Sequence, residues 1–164
     1  MTDLTRRLAL AALLGLLIPG LLALGHAVPA SALARFEQSA LAIMTASGGR
    51  HTFEVELALT QEQQAQGLMF RRTLAENAGM LFVYKPAREI SMWMKNTMIP
   101  LDMLFIASDG QIVKIVERTV PLSEKIVESD QRVQAVLELN AGTASRLGIK
   151  PGDRVLHSAF GTAP

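Results

Sequence analysis

The chain has 164 residues, of which 49% are hydrophobic and 19% charged, a composition that is typical of a packed core and argues against disorder. Its formal net charge is +1: of 16 Lys and Arg and 15 Asp and Glu residues only Arg6, Arg7 and Asp3 precede residue 35, so 14 of each sign remain from residue 35 onward. These charges form no basic stripe, which argues against nucleic acid as a partner, and the absence of Cys excludes disulfides, a thiol nucleophile and thiolate metal sites.

The N-terminus has the pattern of an export signal. Two arginines precede an uncharged apolar run, residues 8–24, and two small-x-small cleavage patterns follow between residues 30 and 34. Residues 1–34 are therefore predicted to be a signal peptide, with a mature chain that begins at Leu33 or Arg35. Because the apolar run reaches the lower length limit of a membrane span, an uncleaved anchor is the alternative, and this run would then be the only contact with the membrane. Both interpretations put the domain outside the cytoplasm, in the periplasm or an equivalent compartment.

Residues 35–164 are predicted to form a single α+β domain. Eight segments have the short apolar or alternating patterns of β-strands: residues 41–45, 51–59, 80–84, 90–94, 101–106, 111–118, 133–139 and 154–157. Ser47-Gly48-Gly49-Arg50 and Ser108-Asp109-Gly110 are hairpin signals between neighbouring strands. We therefore expect a mixed, mainly antiparallel β-sheet or a partly closed barrel with two or three short helices.

Two helices have clear end signals. Thr60-Gln61-Glu62-Gln63 is a capping-box start and Gly67 a stop, and a second helix over residues 143–147 ends at Gly148. Two stretches are expected to be connections, a turn and a surface loop with one short extended piece: residues 85–88 and 119–133. Four side chains are predicted to be core residues, because each lies in a run too apolar to be solvated on both faces: Phe82, Trp93, Leu104 and Leu137.

Five motifs occur in order along the chain: Gly67-Leu68-Met69-Phe70-Arg71, Gly79-Met80-Leu81-Phe82, Trp93-Met94-Lys95-Asn96-Thr97 with Ile99-Pro100-Leu101-Asp102, Val136-Leu137-Glu138, and Gly148-Ile149-Lys150-Pro151-Gly152-Asp153. Together they resemble the domain-of-unknown-function 192 family, also called uncharacterised protein family 0127. The resemblance covers roughly residues 53–155 and implies a small α+β domain that is often exported and has no established activity. Met92 stands where the family pattern leads us to expect an aromatic residue, which concerns the packing beside Trp93.

The stretch from residue 92 to 102 carries a compact polar group between two apolar runs. Asp102 lies in an otherwise apolar strand, so its carboxylate is drawn toward the interior and needs a cation or several hydrogen bonds. Lys95 and Arg71 are the candidate cations, and Asn96 and Thr97 are supporting donors. Glu138 lies in the middle of a strand and is expected to face the same place.

Three hypotheses about this polar group remain open. The candidate binding residues are Arg71, Trp93, Lys95, Asn96, Thr97, Asp102 and Glu138. They could form a structural cluster that fixes a chain reversal, or they could serve a non-catalytic binding or accessory module. The partner would then be a small polar ligand or an envelope protein. An enzyme of unknown reaction, for example with Asp102 and Glu138 as paired carboxylates, is the alternative, although no hydrolase or phosphate-binding motif is present and no catalytic residue stands out.

Methionines raise a third function. Met92, Met94 and Met98 lie close together in sequence, and the first two would share one face of the strand over residues 90–94. Thioethers suit copper(I), but a site would need the sulfur atoms to converge at one point, and Met is otherwise a flexible core residue. We therefore expect no cofactor and no metal, with these three residues as the weak alternative.

Overall fold

The structure, a computed structural model, describes residues 34–163. Within this range there are nine strands: β1 (Glu37–Met44), β2 (Arg50–Ala58), β3 (Ala78–Arg88), β4 (Ser91–Met92), β5 (Leu101–Ile106), β6 (Ile112–Val116), β7 (Val127–Glu128), β8 (Val133–Asn140) and β9 (Arg154–Leu156). Two α-helices and a 3-10 helix accompany them: α1 (Gln61–Gln66), α2 (Thr143–Leu147) and Ser158–Phe160. The predicted signal or anchor segment lies outside the described residues, apart from Ala34. None of the helices in the described range is long and apolar enough to span a membrane.

Seven strands form one sheet in the order β6-β5-β8-β3-β2-β1-β9. All neighbours are antiparallel except β2 and β3, which are parallel. The two ends of the sheet meet, because Gln111 beside β6 pairs with Arg154 of β9, and the Ile112 amide donates to the Asp153 carbonyl at 2.8 Å. The sheet is thus a nearly closed barrel. The predicted mixed, mainly antiparallel α+β fold with short helices is confirmed.

Local signals in the sequence explain how these elements begin and end. The Thr60 hydroxyl accepts the Gln63 amide proton, and the Gln63 side chain accepts that of Thr60, so the predicted capping box starts α1. Gly48 has a φ of 88° in the turn between β1 and β2, a left-handed conformation that favours glycine. Both predicted helices and both predicted hairpins are therefore confirmed.

The two faces of the sheet carry separate hydrophobic cores. The inner face of the barrel holds side chains from seven strands, among them Phe53, Leu81, Leu104 and Leu137. The outer face of β3, β8 and β5 is covered by the turn that follows α1 and by the segment between β3 and β5. The residues in contact there include Met80, Phe82, Met103, Phe105, Leu68, Ile90, Met94 and Ile99. Because side chains alternate along a strand, neighbouring residues of β3, β5 and β8 belong to different cores.

Two predicted elements differ from the structure. The strand expected over residues 90–94 is reduced to β4, which pairs only with β7. Beyond β4 the Met94 amide donates to the Ser123 carbonyl at 3.0 Å, so a loop satisfies this backbone. The turn expected over residues 85–88 belongs instead to β3, which continues past an irregularity in its pairing with β8 and ends at Arg88.

Three of the four predicted core residues are confirmed. Phe82, Leu104 and Leu137 are buried, but Trp93 is 43% exposed, so its assignment to the core is wrong. The chain leaves the sheet after Met92 and buries Met94, and the intervening indole faces outward. Trp93 therefore lies on a surface whose other residues define the candidate site.

Candidate functional site

Asp102 lies on the inner face of β5 and is fully buried. Its Oδ1 accepts the amide protons of Arg118 and Gly142, each at 2.9 Å, and its Oδ2 accepts that of Ala144 at 2.9 Å. Helix α2 begins at Thr143, and its N-cap residue Gly142 has no side chain to cap it, so Asp102 of β5 accepts the free N–H groups at this helix end. Three backbone donors satisfy the carboxylate, and its role here is structural.

Arg71 pairs with Glu56 and not with Asp102. Its two terminal nitrogens lie 2.6 Å from the two Glu56 oxygens, a bidentate ion pair whose hydrogen bonds raise the Arg71 pKa. Lys95 lies with its Nζ 5.1 Å from the centroid of the Trp93 ring. The predicted pairing of Asp102 with Arg71 or Lys95 is wrong, because backbone amides reach the carboxylate on the inner side of the barrel while both cations lie on the outer side.

Glu138 points away from Asp102. Asp102 is paired in register with Leu139, an inner-core residue, so Glu138, one position earlier, faces outward together with its own partner Met103. The expectation that the two carboxylates face the same place is therefore wrong. On the outer face Glu138 lies in a row of paired positions that runs through Glu56, Met80 and Met103.

The outer face of β3 and β8 forms the floor of a cleft, which we call the Glu138 cleft, with a volume of about 240 Å³. Its lining residues come from α1, the following turn, β3, β8 and the stretch around β4: Gln64, Ala65, Gln66, Gly67, Leu68, Met69, Phe82, Tyr84, Arg88, Ser91, Met92, Trp93, Thr97 and Glu138. Three predicted site residues, Trp93, Thr97 and Glu138, are thus brought together. Two further predicted residues contact the lining: Lys95 lies over the Trp93 ring, and the Asn96 side-chain amide donates to Sδ of Met69.

One wall of the cleft is built by the end of α1. Gly67 follows the helix with a φ of 48°, and a Cβ at this position would lie 3.0 Å from Cζ of Phe82. Only glycine therefore allows the turn to approach the sheet so closely. The turn places Leu68 in the outer core and Met69 at the edge of the cleft.

Glu138 is the buried charged group of this cleft. Its residue surface is only 4% exposed, and no ion pair or side-chain hydrogen bond within residues 34–163 involves its carboxylate. Burial raises the pKa of Glu138 to about 8. The pKa of Tyr84, which lines the same cleft, is raised by burial first and by the Glu138 charge second.

The polar side chains around Glu138 are already bonded to other groups. The Gln64 amide donates to two backbone carbonyls, at 2.9 and 3.3 Å. The Tyr84 hydroxyl donates to Sδ of Met92 at 3.6 Å, and the Thr97 hydroxyl to the Lys95 carbonyl at 3.4 Å. The inner cleft therefore offers the Glu138 carboxyl, which is mainly protonated below about pH 8 and becomes a strong acceptor once ionised, while the donors of these three side chains are in use.

The methionines do not gather at one place. Met92 lines the Glu138 cleft, whereas Met94 lines a different one and its Sδ lies 3.1 Å from the Thr119 hydroxyl. Met98 is 38% exposed and lines neither. Since β4 ends at Met92, the shared strand face predicted for Met92 and Met94 is wrong.

A larger cleft of about 480 Å³ adjoins the first and is lined in part by His157. His157 Nε2 lies 2.9 Å from the Ser39 hydroxyl, and its Nδ1 accepts the Ala159 amide proton at 3.1 Å. Because Nδ1 is an acceptor, the proton of the neutral ring is on Nε2, which donates to Ser39. This ring cannot take the serine proton, so the pair lacks the geometry of a nucleophile and its base. Burial also lowers the pKa of His157.

Sequence reasoning missed several lining residues. Tyr84 and Gln64 were not candidates, and Gly67 and Met69 were noted only as parts of a motif. The alternation along β3, which puts Tyr84 on the same face as Phe82, was the available signal. The approach of the α1 turn to this face is a tertiary contact with no local pattern.

Comparisons with known proteins agree with this architecture. Residues 42–157 match the family model DUF192, described as an uncharacterized ACR. A solved structure from Sinorhizobium meliloti 1021, described as a proposed transcription regulator, is 51% identical, with a TM-score of 0.75 and coverage of 77% of this chain and 98% of that one. A protein of unknown function from Novosphingobium aromaticivorans is 42% identical, with a TM-score of 0.72 and coverage of 79% and 89%. A comparison with curated proteins finds no match. This chain belongs to the domain-of-unknown-function 192 family.

Proposed function

We propose that this chain is an exported, non-catalytic binding or accessory module whose ligand occupies the Glu138 cleft. The observation that carries the proposal is Glu138, a residue that is 4% exposed and lines the cleft; its carboxyl has no ion-pair or side-chain hydrogen-bond partner within residues 34–163, and its unpartnered oxygen atoms are accessible from the cleft. A carboxyl held in a narrow cleft, away from bulk water and without protein partners, costs stability, and such a cost is typical of a group that a ligand uses.

The charges favour a small polar ligand or an envelope protein over nucleic acid. The Sinorhizobium meliloti relative is described as a proposed transcription regulator. In this chain, however, the two charge signs are balanced after residue 34, which does not suit binding to phosphates. Export is supported by the N-terminal pattern of charge, apolar run and small residues. Mass spectrometry of the protein from its native envelope would find Leu33 or Arg35 as the first residue, whereas an intact segment over residues 8–24 in the membrane fraction would support the anchor.

The exposed indole supports the same proposal. Trp93 lines the cleft although 43% of its surface is exposed, and Lys95 lies over its ring. An amphipathic ring at the rim of a cleft can stack on a ligand. The proposed site is therefore centred on Glu138 and not on Lys95, Asn96 and Asp102. Lys95 and Asn96 contact Trp93 and Met69, which line the cleft, and Asp102 binds backbone amides on the opposite face of the sheet.

A ligand screen by thermal shift tests the proposal. The purified protein is compared with Glu138→Gln, and Glu54→Gln, an exposed position on β2, is the matched control. A ligand at 100 times its Kd stabilises the folded state by about 2.7 kcal/mol, which raises Tm by several degrees. We expect at least one compound to stabilise the wild type and the control but not Glu138→Gln. A broad screen in which no compound depends on Glu138 contradicts the proposal.

Catalysis is the second candidate, and the pKa of Glu138 favours it. A carboxyl whose pKa is raised to about 8 can act as a general acid or base near neutral pH. The paired-carboxylate mechanism with Asp102 is not supported, because the two groups face opposite sides of the sheet. Mass spectrometry of each stabilising compound after incubation distinguishes the candidates: an enzyme converts it, and a binding module returns it unchanged.

A further inference from the structure

We propose that the ligand of the Glu138 cleft carries a protonated amine, which pairs with the Glu138 carboxylate while its apolar part lies against Phe82, Met92 and Trp93. This inference rests on the proposed binding function and adds the chemical class of the ligand. It applies equally to a free small amine and to an amine borne by a polypeptide, such as a lysine side chain.

Three side-chain donors in the cleft already have acceptors within the protein. Gln64, Tyr84 and Thr97 already donate their protons to protein acceptors. The Glu138 carboxyl has no such partner among the described residues, lines the cleft in a residue that is 4% exposed, and is a strong acceptor once it is ionised. A ligand complementary to this arrangement supplies donors and positive charge, and an ammonium group supplies both.

The surrounding charges leave the floor without a cation. Arg71 is neutralised by Glu56 in the same row of the sheet. Arg88 also lines the cleft, but this residue is exposed and lies 5.2 Å from the Tyr84 ring centroid, and Lys95 lies over Trp93 at the rim. None of these three cations forms an ion pair with Glu138 within residues 34–163. The position beside the carboxylate is therefore open to a cation from outside the protein.

The walls suit the rest of such a ligand. The aromatic rings of Tyr84 and Trp93 and the thioether of Met92 line the cleft and supply apolar surface for the rest of the ligand, while Arg88 and Lys95 already lie over the two rings. The volume of about 240 Å³ lies below the range of roughly 300–1,000 Å³ that is usual for drug-sized ligands. The cleft therefore takes a small amine or one side chain.

The raised pKa of Glu138 predicts how the affinity for an amine depends on pH. Burial raises the Glu138 pKa to about 8 in the empty cleft, so the carboxyl must lose its proton when an ammonium group binds. Amine affinity then rises up to about tenfold per pH unit below this pKa and levels off above it. A neutral ligand that accepts a hydrogen bond from the protonated carboxyl has the opposite dependence, with an affinity that falls as pH rises above this pKa.

Titration calorimetry of the full-length protein at pH 6, 7, 8 and 9 tests this class. Butylamine is the free amine, Nα-acetyl-lysine amide the chain-borne one, and 1-butanol the neutral control; amines of this kind stay protonated in this range because their pKa is about 10.4. We expect at least one amine to bind at least ten times more tightly than 1-butanol, with affinity rising from pH 6 to pH 8. Glu138→Gln is expected to abolish this preference and its pH dependence, and Glu54→Gln to keep both.

Two results overturn the ligand class: equal affinities for both amines and 1-butanol, and an unchanged amine affinity in Glu138→Gln. If the thermal-shift screen finds neutral or anionic ligands that depend on Glu138, the amine class is wrong and the binding function stands. If neither experiment finds a ligand that depends on Glu138, the binding function itself is wrong.

Discussion

Asp102 and Glu138 are two buried carboxyl groups on neighbouring strands, and the fold treats them in opposite ways. Asp102 faces the inside of the barrel and accepts three backbone N–H groups, whereas Glu138 faces outward into a cleft and has no such partners within residues 34–163. Both groups are buried, so burial alone does not distinguish them. The partners differ, because three backbone amides stabilise the ionised form of Asp102, whereas burial without such donors favours the neutral form of Glu138.

The sheet register is the reason for this difference. Asp102 lies opposite Leu139, so Glu138 is one residue away from the same point on the opposite face. The inner side is closed by α2, whose first amides need an acceptor. The outer side is covered by a turn and a loop that leave a cleft above Glu138.

The largest expected effect is at Asp102. Asp102→Ala leaves three N–H groups, one buried and two partly buried, without their acceptor, and each lost partner costs about 1–3 kcal/mol. We expect the free energy of unfolding, measured by urea denaturation, to fall by about 3–5 kcal/mol. Asp102→Asn keeps one oxygen acceptor and should lose less. A loss below about 1 kcal/mol for Asp102→Ala would show that the carboxylate is not the structural member of the comparison.

The fold could largely be predicted from the sequence, and the site only in part. Strand alternation and caps are local, so the Thr60 capping box and the β5 run were recognisable without a structure. The face to which each carboxylate points depends on register and on what covers the sheet. β5, which contains Asp102, is apolar at both alternating sets of positions because both of its faces are buried. Its sequence pattern therefore did not indicate to which face of the sheet Asp102 points.

Trp93 illustrates the same limit at the rim. Its apolar neighbours predicted burial, yet the strand ends at Met92 and the loop backbone takes over the pairing. The partners of such a loop lie some 30 residues further along the chain, at Ser123. No local pattern in the sequence connects the two.

The second expected effect is a pH dependence that belongs to Glu138. Its pKa is about 8 in the folded protein and near its ordinary value of 4.5 when unfolded, so between these values the folded state binds more protons. The stability contribution is thus full below about pH 4.5 and is lost as pH rises through 8, with a slope of at most about 1.4 kcal/mol per pH unit. Urea denaturation across pH 5–9 should show this loss in the wild type.

Glu138→Gln removes the titrating group and keeps the size of the side chain. We expect it to lack the added pH slope and to match or exceed the wild type in stability at pH 8. Glu54→Gln, which is exposed, should keep the slope. Identical pH profiles for the wild type and Glu138→Gln would mean that Glu138 is partnered in solution, and the contrast with Asp102 would disappear.

The smallest expected effect is at Lys95. Its ammonium group lies 5.1 Å from the Trp93 ring centroid at the rim and forms no ion pair with Asp102. An exposed contact of this kind contributes about 0.5–1 kcal/mol, so Lys95→Ala should change the free energy of unfolding by no more than that. If Lys95 repels an ammonium ligand across the rim, the same variant should bind butylamine somewhat more tightly at low ionic strength, with a difference that shrinks in salt. A Lys95→Ala protein that unfolds at growth temperature would show that Lys95, like Asp102, has a structural role. Glu138 would then be the one candidate binding residue left in this comparison.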